Sequence, residues 1–202
     1  MGSLVGYAYV LKLDNAAAFS SQSYGLRFTG RRKLQFNNDL SFLYAAEYAH
    51  QRPHANNAGD FDLNYYLAEP GIQFRDLTVK LGYEVLEGDG TAAFQMPLAT
   101  LHAFNGIIDK LLETPADGIE DIYTKIKYKI GDVGPLKGVT LIGAYHVLKS
   151  EQTSADIGEE WNAKLAMKLT KNISFSVQHA DYKADTVSTD TTKTWITLQL
   201  SF

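Results

Sequence analysis

The chain of 202 residues contains no cysteine. Disulfides, thiolate nucleophiles and cysteine-ligated metals are therefore excluded. It also lacks any run approaching the ~18–20 consecutive apolar residues that a transmembrane helix needs. That removes helical spans but not a β-barrel, whose strands show lipid only at every second residue. No export signal is visible, because Met1-Gly2-Ser3-Leu4-Val5-Gly6-Tyr7 is already strand-like and has no basic segment ahead of an apolar core. Met1-Gly2-Ser3 reads as an added start, so the expectation is a removed signal or a fragment. Basic charge is not in excess: the net charge of −4 argues against a nucleic-acid binder.

What is present is alternation. Period-2 runs of roughly ten residues recur along the chain. In the first, Val5, Tyr7, Tyr9, Leu11 and Leu13 oppose Gly6, Ala8 and Lys12. In the next two, Tyr24, Leu26 and Phe28 oppose Arg27, and Phe42, Tyr44 and Tyr48 oppose Glu47. Then come Phe61, Leu63, Tyr65 and Leu67, followed by Leu77, Val79, Leu81 and Tyr83. The clearest run sets Ile122, Ile126, Tyr128 and Ile130 against Lys125, Lys127 and Lys129. Further runs at 139–147, 161–169 and 173–179 lead to the last, where Ile196, Leu198, Leu200 and Phe202 share one face. About ten strands are expected.

Polar connections alternate in length. Long ones fall near 14–21, 50–59, 87–118, 149–158 and 183–191, and short ones near 31–37, 69–74, 131–137 and 170–172. Transmembrane barrels have this asymmetry, with short periplasmic turns and long external loops. A soluble barrel with its apolar face inside is the competing architecture. Bulky Tyr, Phe, Trp, Leu and Ile crowd the apolar face, and Tyr24, Tyr48, Tyr65, Tyr83, Tyr145, Trp161 and Phe202 lie toward strand ends as interfacial girdles do. The predicted fold is therefore all-β: one antiparallel, up-and-down transmembrane barrel over residues 1–202, with 87–118 as its long external loop.

The ending on Phe202 resembles the terminal strand of bacterial outer-membrane barrels, where it is an assembly signal. Residues 94–123 read Phe-Gln-Met-Pro-Leu-Ala-Thr-Leu-His-Ala-Phe-Asn-Gly-Ile-Ile-Asp-Lys-Leu-Leu-Glu-Thr-Pro-Ala-Asp-Gly-Ile-Glu-Asp-Ile-Tyr. This resembles the signature loop of the alginate-export-like outer-membrane barrels, with departures at Met96, Ile107 and Leu111. The flanking segments Tyr24-Gly25-Leu26 with Gly30, Leu43-Tyr44-Ala45-Ala46-Glu47-Tyr48-Ala49, Leu81-Gly82-Tyr83-Glu84-Val85-Leu86 and Asp190-Thr191-Thr192-Lys193 extend the similarity, which matches the C-terminal portion of that family. It implies a porin-type channel in the bacterial outer membrane that carries a polyuronate or another anionic solute.

Parity assigns an inward set of Lys12, Arg27, Glu47, Lys80, Glu84, Lys125, Lys127, Lys129, Lys164 and Lys168 as pore-lining residues. Lys193 joins them, as do Asp60, Asp62, Asp76 and Glu160. Bases outnumber acids there, and cationic rings favour anions. Those charges could equally pair across a narrow lumen and plug it. In the long loop, Leu101, Phe104, Ile108 and Leu112 have near-helical spacing and His102 lies among them, so this segment is a candidate gate or cap. His50, His54, Asp60 and Asp62 cluster without a nucleophile motif, so an enzyme is not expected. No metal or cofactor site is predicted. The expected partners are membrane lipid, lipopolysaccharide, the barrel-assembly machinery through Phe202, and an anionic solute; nucleic acid is not among them. The alternatives are a non-conducting, shortened or engineered scaffold and, third, an outer-membrane enzyme.

Overall fold

The computed structural model describes residues 2–99 and 105–202. Ten strands form one antiparallel sheet in strict chain order. They are β1 (Gly2–Val10), β2 (Ser21–Leu34), β3 (Asn37–Pro53), β4 (Leu63–Phe74), β5 (Leu77–Leu86), β6 (Ile119–Val133), β7 (Leu136–Lys149), β8 (Asp156–Lys168), β9 (Ile173–Ala184) and β10 (Thr191–Leu200). A single 3-10 turn, Ala17–Phe19, interrupts the first long connection. β1 and β10 are the sheet's two edges, so the sheet is open. The turns that join β2 to β3, β4 to β5, β6 to β7 and β8 to β9 lie at one end, and the long connections lie at the other. Gly2 pairs with Gly30 and Leu200 with Ile173, which puts the start of β1 and the end of β10 at the short-turn end.

Directly opposed residues in a ladder share a face. Following the pairings across the sheet therefore separates its two sides. One side carries Leu4, Leu26, Tyr48, Ile72, Leu81, Ile126, Leu141, Trp161, Ile196 and Leu198, all exposed. Leu81, opposite Thr124, is 58% exposed and Leu198, opposite Phe175, is 57% exposed. An apolar surface that runs over every strand far exceeds the few hundred Å² that a water-soluble monomer tolerates. At the loop end this surface is edged by aromatic residues whose polar tips find partners. The Tyr83 hydroxyl donates to Glu120 at 2.8 Å, that of Tyr145 to Glu159 at 2.5 Å and that of Tyr48 to Asn64 at 2.8 Å. That is the chemistry of an interfacial girdle, apolar on the body and wet at the tip.

The other side is covered near the loop end by residues 87–99 and 105–118. Phe94 packs in a cluster with Ala49, Leu63, Tyr65, Leu67, Leu86 and Tyr123. Ile108 and Leu111 pack in a second with Ile119, Leu148, Ile157, Ala180 and Tyr182. Two strand registers consequently differ from those expected. Tyr7 in β1, and Leu63, Tyr65 and Leu67 in β4, face the covered side rather than the exposed apolar side. Both strands carry apolar residues at both parities, and the covering loop supplies an apolar environment that alternation alone does not reveal.

Candidate functional site

The covered side is built in register rows. Two rows nearer the loops hold acids. Arg27, Glu47, Leu67, Glu84, Asp121 and Leu148 follow one another across β2 to β7. The next row joins Tyr123, His146, Glu160 and Tyr182 on β6 to β9, with Ala45 opposite Glu69 on the β3–β4 side. The two rows beyond, toward the short turns, hold only bases among their charged residues. One runs Arg31, Leu43, Gly71, Lys80, Lys125, Ala144, Asn162, Ala180, Lys193. The other runs Lys33, Ser41, Gln73, Thr78, Lys127, Ile142, Lys164, Gln178, Trp195. Successive rows are two residues apart, roughly 7 Å along the strand.

Each acid is held by donors. Glu47 accepts from the Tyr7 hydroxyl at 2.7 Å and pairs with Arg27. Glu69 accepts from Lys80 Nζ at 2.6 Å and from Tyr123 at 2.9 Å. Glu84 accepts from Tyr65 at 2.5 Å, and Asp121 meets His146 Nδ1 at 2.8 Å. Glu160, buried, accepts the backbone N–H groups of Ile107 at 2.6 Å and Ile108 at 3.1 Å. Buried carboxylates need such partners, since a charge left unpaired away from water is costly. The bases are treated differently. Lys80 is committed to Glu69, and Lys125 lies over the Tyr123 ring at 4.1 Å. Among the described residues, no carboxylate lies within ion-pair distance of Arg31, Lys33, Lys127 or Lys164. The wall thus has quenched acids on the loop side and unquenched cations on the turn side.

The described parts of segment 87–118, residues 87–99 and 105–118, lie against this wall as a strap. At one end Gln95 binds Gln51 reciprocally: Gln51 Nε2 donates to the Gln95 carbonyl at 2.8 Å, and Gln95 N–H donates to Gln51 Oε1 at 2.9 Å. The Gln95 side chain spans Thr114 in the same two-way manner. Asp89 closes the preceding turn on the Thr91 hydroxyl and the Thr91 and Ala92 N–H groups, which hold its carboxyl below the ordinary range. Beneath the strap lies a cavity of about 190 Å³, lined by Lys125, Lys164, Asn105, Asn162, His146 and Gln178 among others. A larger one of about 480 Å³ sits between Phe94, Met96 and the β1–β3 wall.

Of the pore-lining residues read from sequence, Arg27, Glu47, Lys80, Glu84, Lys125, Lys127 and Lys164 lie on the covered side by register. Lys129, opposite Thr140, and Lys168, opposite Ser174, continue that side at the exposed turn end. Lys12 does not belong: it lies past the end of β1, exposed and paired with Asp14 at 3.0 Å. Asp60, Asp62 and Asp76 also lie off the strands, and Asp62 pairs with Arg52 instead. In the loop, Leu101, His102 and Phe104 lie outside the described residues. The expected helix is absent from 105–112. Ile108 is fully buried while Leu112 is 64% exposed, so the two do not share a helical face. Arg31, Lys33, Glu69 and the Asp121–His146 pair were missed by the sequence reading.

No family model matches the chain, and no curated protein matches it. Solved structures do. A BenF-like porin from Pseudomonas fluorescens Pf-5 superposes with a TM-score of 0.69 at 14% identity, over 88% of this chain and 48% of the porin. The fold is porin-type. OccK7 (OpdD) of Pseudomonas aeruginosa gives 0.67 at 15% identity, over 98% of this chain and 51% of that one. OccAB2 of Acinetobacter baumannii gives 0.66 at 13%, over 98% and 53%. The chain spans about half the length of the porins it matches. The resemblance to alginate-export-like barrels finds no support in these comparisons: the neighbours are BenF-like and Occ porins.

Proposed function

We propose that this chain forms the wall of an outer-membrane porin channel for small anionic solutes, with the strap 87–118 as its constriction. The observation that carries this reading is the division of charge on the covered side. Acids are neutralised in place by hydroxyl, amide and ammonium donors, whereas Arg31, Lys33, Lys127 and Lys164 are left with their charge available. Lys127 and Lys164 sit two strands apart in one row, about 10 Å between backbones. That equals a Debye length at 0.1 M salt, so their fields overlap across the opening. Anions are enriched there and cations repelled.

In this reading the exposed apolar side meets lipid, the short turns face the periplasm and the long connections face outward. Phe202, fully exposed beyond β10, is available to the barrel-assembly machinery. The non-enzyme character of the solved neighbours fits a passive role. A second reading, a non-conducting scaffold, is favoured by the burial of the strap's own Phe94 and Ile108 against the wall.

The test is electrical. The chain is refolded into a planar bilayer under a KCl gradient and the reversal potential is measured. The expected result is anion preference that changes sign in the double variant Lys127→Glu, Lys164→Glu. A cation-selective wild type would overturn the anion assignment, and a silent one would select the scaffold.

A further inference from the structure

The strap is fixed at its far end by a clip whose parts come from two strands. Residue 106 is the elbow: Gly106 has φ +93°, a left-handed conformation that favours glycine. A Cβ there would stand 2.5 Å from Glu160 Oε2, so the elbow approaches the wall as closely as a glycine allows. Glu160 projects from β8 and is 1% exposed. Its two oxygens take the N–H groups of Ile107 and Ile108. From β10, Lys193 Nζ donates to the carbonyl of Ile108 at 2.7 Å. One peptide segment is therefore gripped at its donors by an anion and at its acceptor by a cation, while the Ile108 side chain is 0% exposed in the cluster beneath. A second feature places this grip at the opening. Asn105, next to the elbow, lines the cavity shared with Lys125 and Lys164 and carries a buried Oδ1 without a partner among the described residues.

We infer that Glu160 and Lys193 are the positioning residues of the constriction: their joint grip on Ile107 and Ile108 holds the elbow over Lys125 and Lys164 and so sets the opening between strap and wall. The inference rests on the channel reading for its electrical consequence, but the grip itself is tested without current. Buried amide N–H groups that lose their acceptor must find water, which lifts the elbow off the wall. Neither residue carries solute in this account; both act through the strap.

Lys110, two residues past the grip, is the one Lys or Arg in segment 87–118, and its Nζ lies 3.4 Å from Thr189 Oγ1. Trypsin cleavage after Lys110 therefore reports strap release as a split into fragments of fixed size. The experiment uses the full chain refolded in lipid vesicles, with heat-dependent gel mobility as the folding control. Glu160→Ala and Lys193→Met are each expected to accelerate cleavage after Lys110 at least tenfold with mobility unchanged. Glu160→Gln, which keeps one acceptor oxygen, is expected to fall between wild type and alanine. In bilayers the same two variants are expected to raise conductance and current noise. Cleavage of Glu160→Ala within twofold of wild type would overturn the clip. If that variant does not fold, Lys193→Met decides by the same criterion. If the wild type carries no current, the channel reading fails, and the cleavage rates still decide the clip.

Discussion

Adjacent residues on β8 give the sharpest test of which side meets lipid. Leu165 is flanked in register by Leu141 and Val177, and Ala166 by Thr140 and Ser176. One step along the strand thus changes the surroundings from wholly apolar to hydroxyl-bearing. Depth follows from Trp161, which stands with Tyr145 in the girdle at the loop end. Leu165 lies four residues further, about 13 Å along the strand at ~3.4 Å per residue. A strand tilted by ~40° converts that to about 10 Å of depth, close to the middle of an apolar band ~25 Å tall. Arginine there costs about 2–4 kcal/mol. At about 1.4 kcal/mol per factor of ten, the folded-to-unfolded ratio falls roughly thirty- to several-hundred-fold. Leu165→Arg is expected to lower the urea midpoint for unfolding from lipid vesicles, read by the gel mobility of unboiled samples. Ala166→Arg, which adds one cation to a side already bearing Lys164 and Lys168, is expected to stay within about 1 kcal/mol of wild type. Equal midpoints for the two variants would refute the assignment of faces. So would a folded, monodisperse wild type in plain buffer.

Other consequences are local. Lys127→Glu with Lys164→Glu reverses ion preference without moving the urea midpoint, since both side chains lie on the wet side; a shifted midpoint would show them to be structural. Phe94→Ala removes the aromatic anchor of the strap, and a buried Phe is worth about 3–5 kcal/mol when truncated; tryptic cleavage after Lys110 is expected to quicken while the strands keep their protection. Gly82→Val puts a side chain where a Cβ would stand 2.0 Å from the Tyr123 ring. It is expected to break the Tyr123–Glu69 hydrogen bond and cost more than 1 kcal/mol by overpacking, seen as a lower urea midpoint. Asp89, held in its charged form by Thr91 and Ala92, contributes to its turn above the ordinary carboxylate range and loses that contribution as pH falls through its lowered value. Asp89→Ala is therefore expected to abolish any acid-dependent loosening of the strap, measured by cleavage with an acid-active protease.

The strand plan was legible because most strands alternate cleanly. On β6, Ile122, Ile126 and Ile130 against Lys125, Lys127 and Lys129 leave one register open, and the structure adopts it. β1 and β4 were misread because apolar residues occupy both parities, and only the strap shows which side buries Tyr7, Leu63 and Tyr65. Glu69 was hidden by Pro70-Gly71, a turn signal in sequence. In the structure β4 runs on to Phe74, and the ladder to β5 skips between Ala68 and Gly71. Pro70 has no N–H to donate there, which accommodates a proline inside a sheet. Arg31 and Lys33 were lost for the related reason that basic residues near a turn look solvated. Their rows emerge only when the pairings carry them across to Lys125 and Lys164. The clip was illegible for a different reason. Its acceptors and donors are backbone groups of Ile107 and Ile108, and no side-chain pattern announces a peptide bond as a ligand.

The edges of the sheet set a last requirement. β1 pairs on one side with β2 alone and β10 with β9 alone, so each presents a row of unpaired N–H and C=O groups. In hydrocarbon each such group costs several kcal/mol, and open edges do not persist there. The membrane form must therefore pair both ladders. The geometry permits it: with ten strands in strict antiparallel order, β1 and β10 run in opposite directions, so each accepts an antiparallel neighbour of the other's kind. The faces match as well. Leu4 and Val10 on β1, and Ile196, Leu198 and Leu200 on β10, point to the same apolar side. Amide hydrogen exchange in vesicles reads this directly. Alternate amides of β1 and β10, those directed away from β2 and β9, are expected to exchange as slowly as the amides of β6 and β7. Exchange of those edge amides at the rate of an exposed strand, with the central strands protected, would show a sheet that lies outside the hydrocarbon, and would remove the basis for a channel.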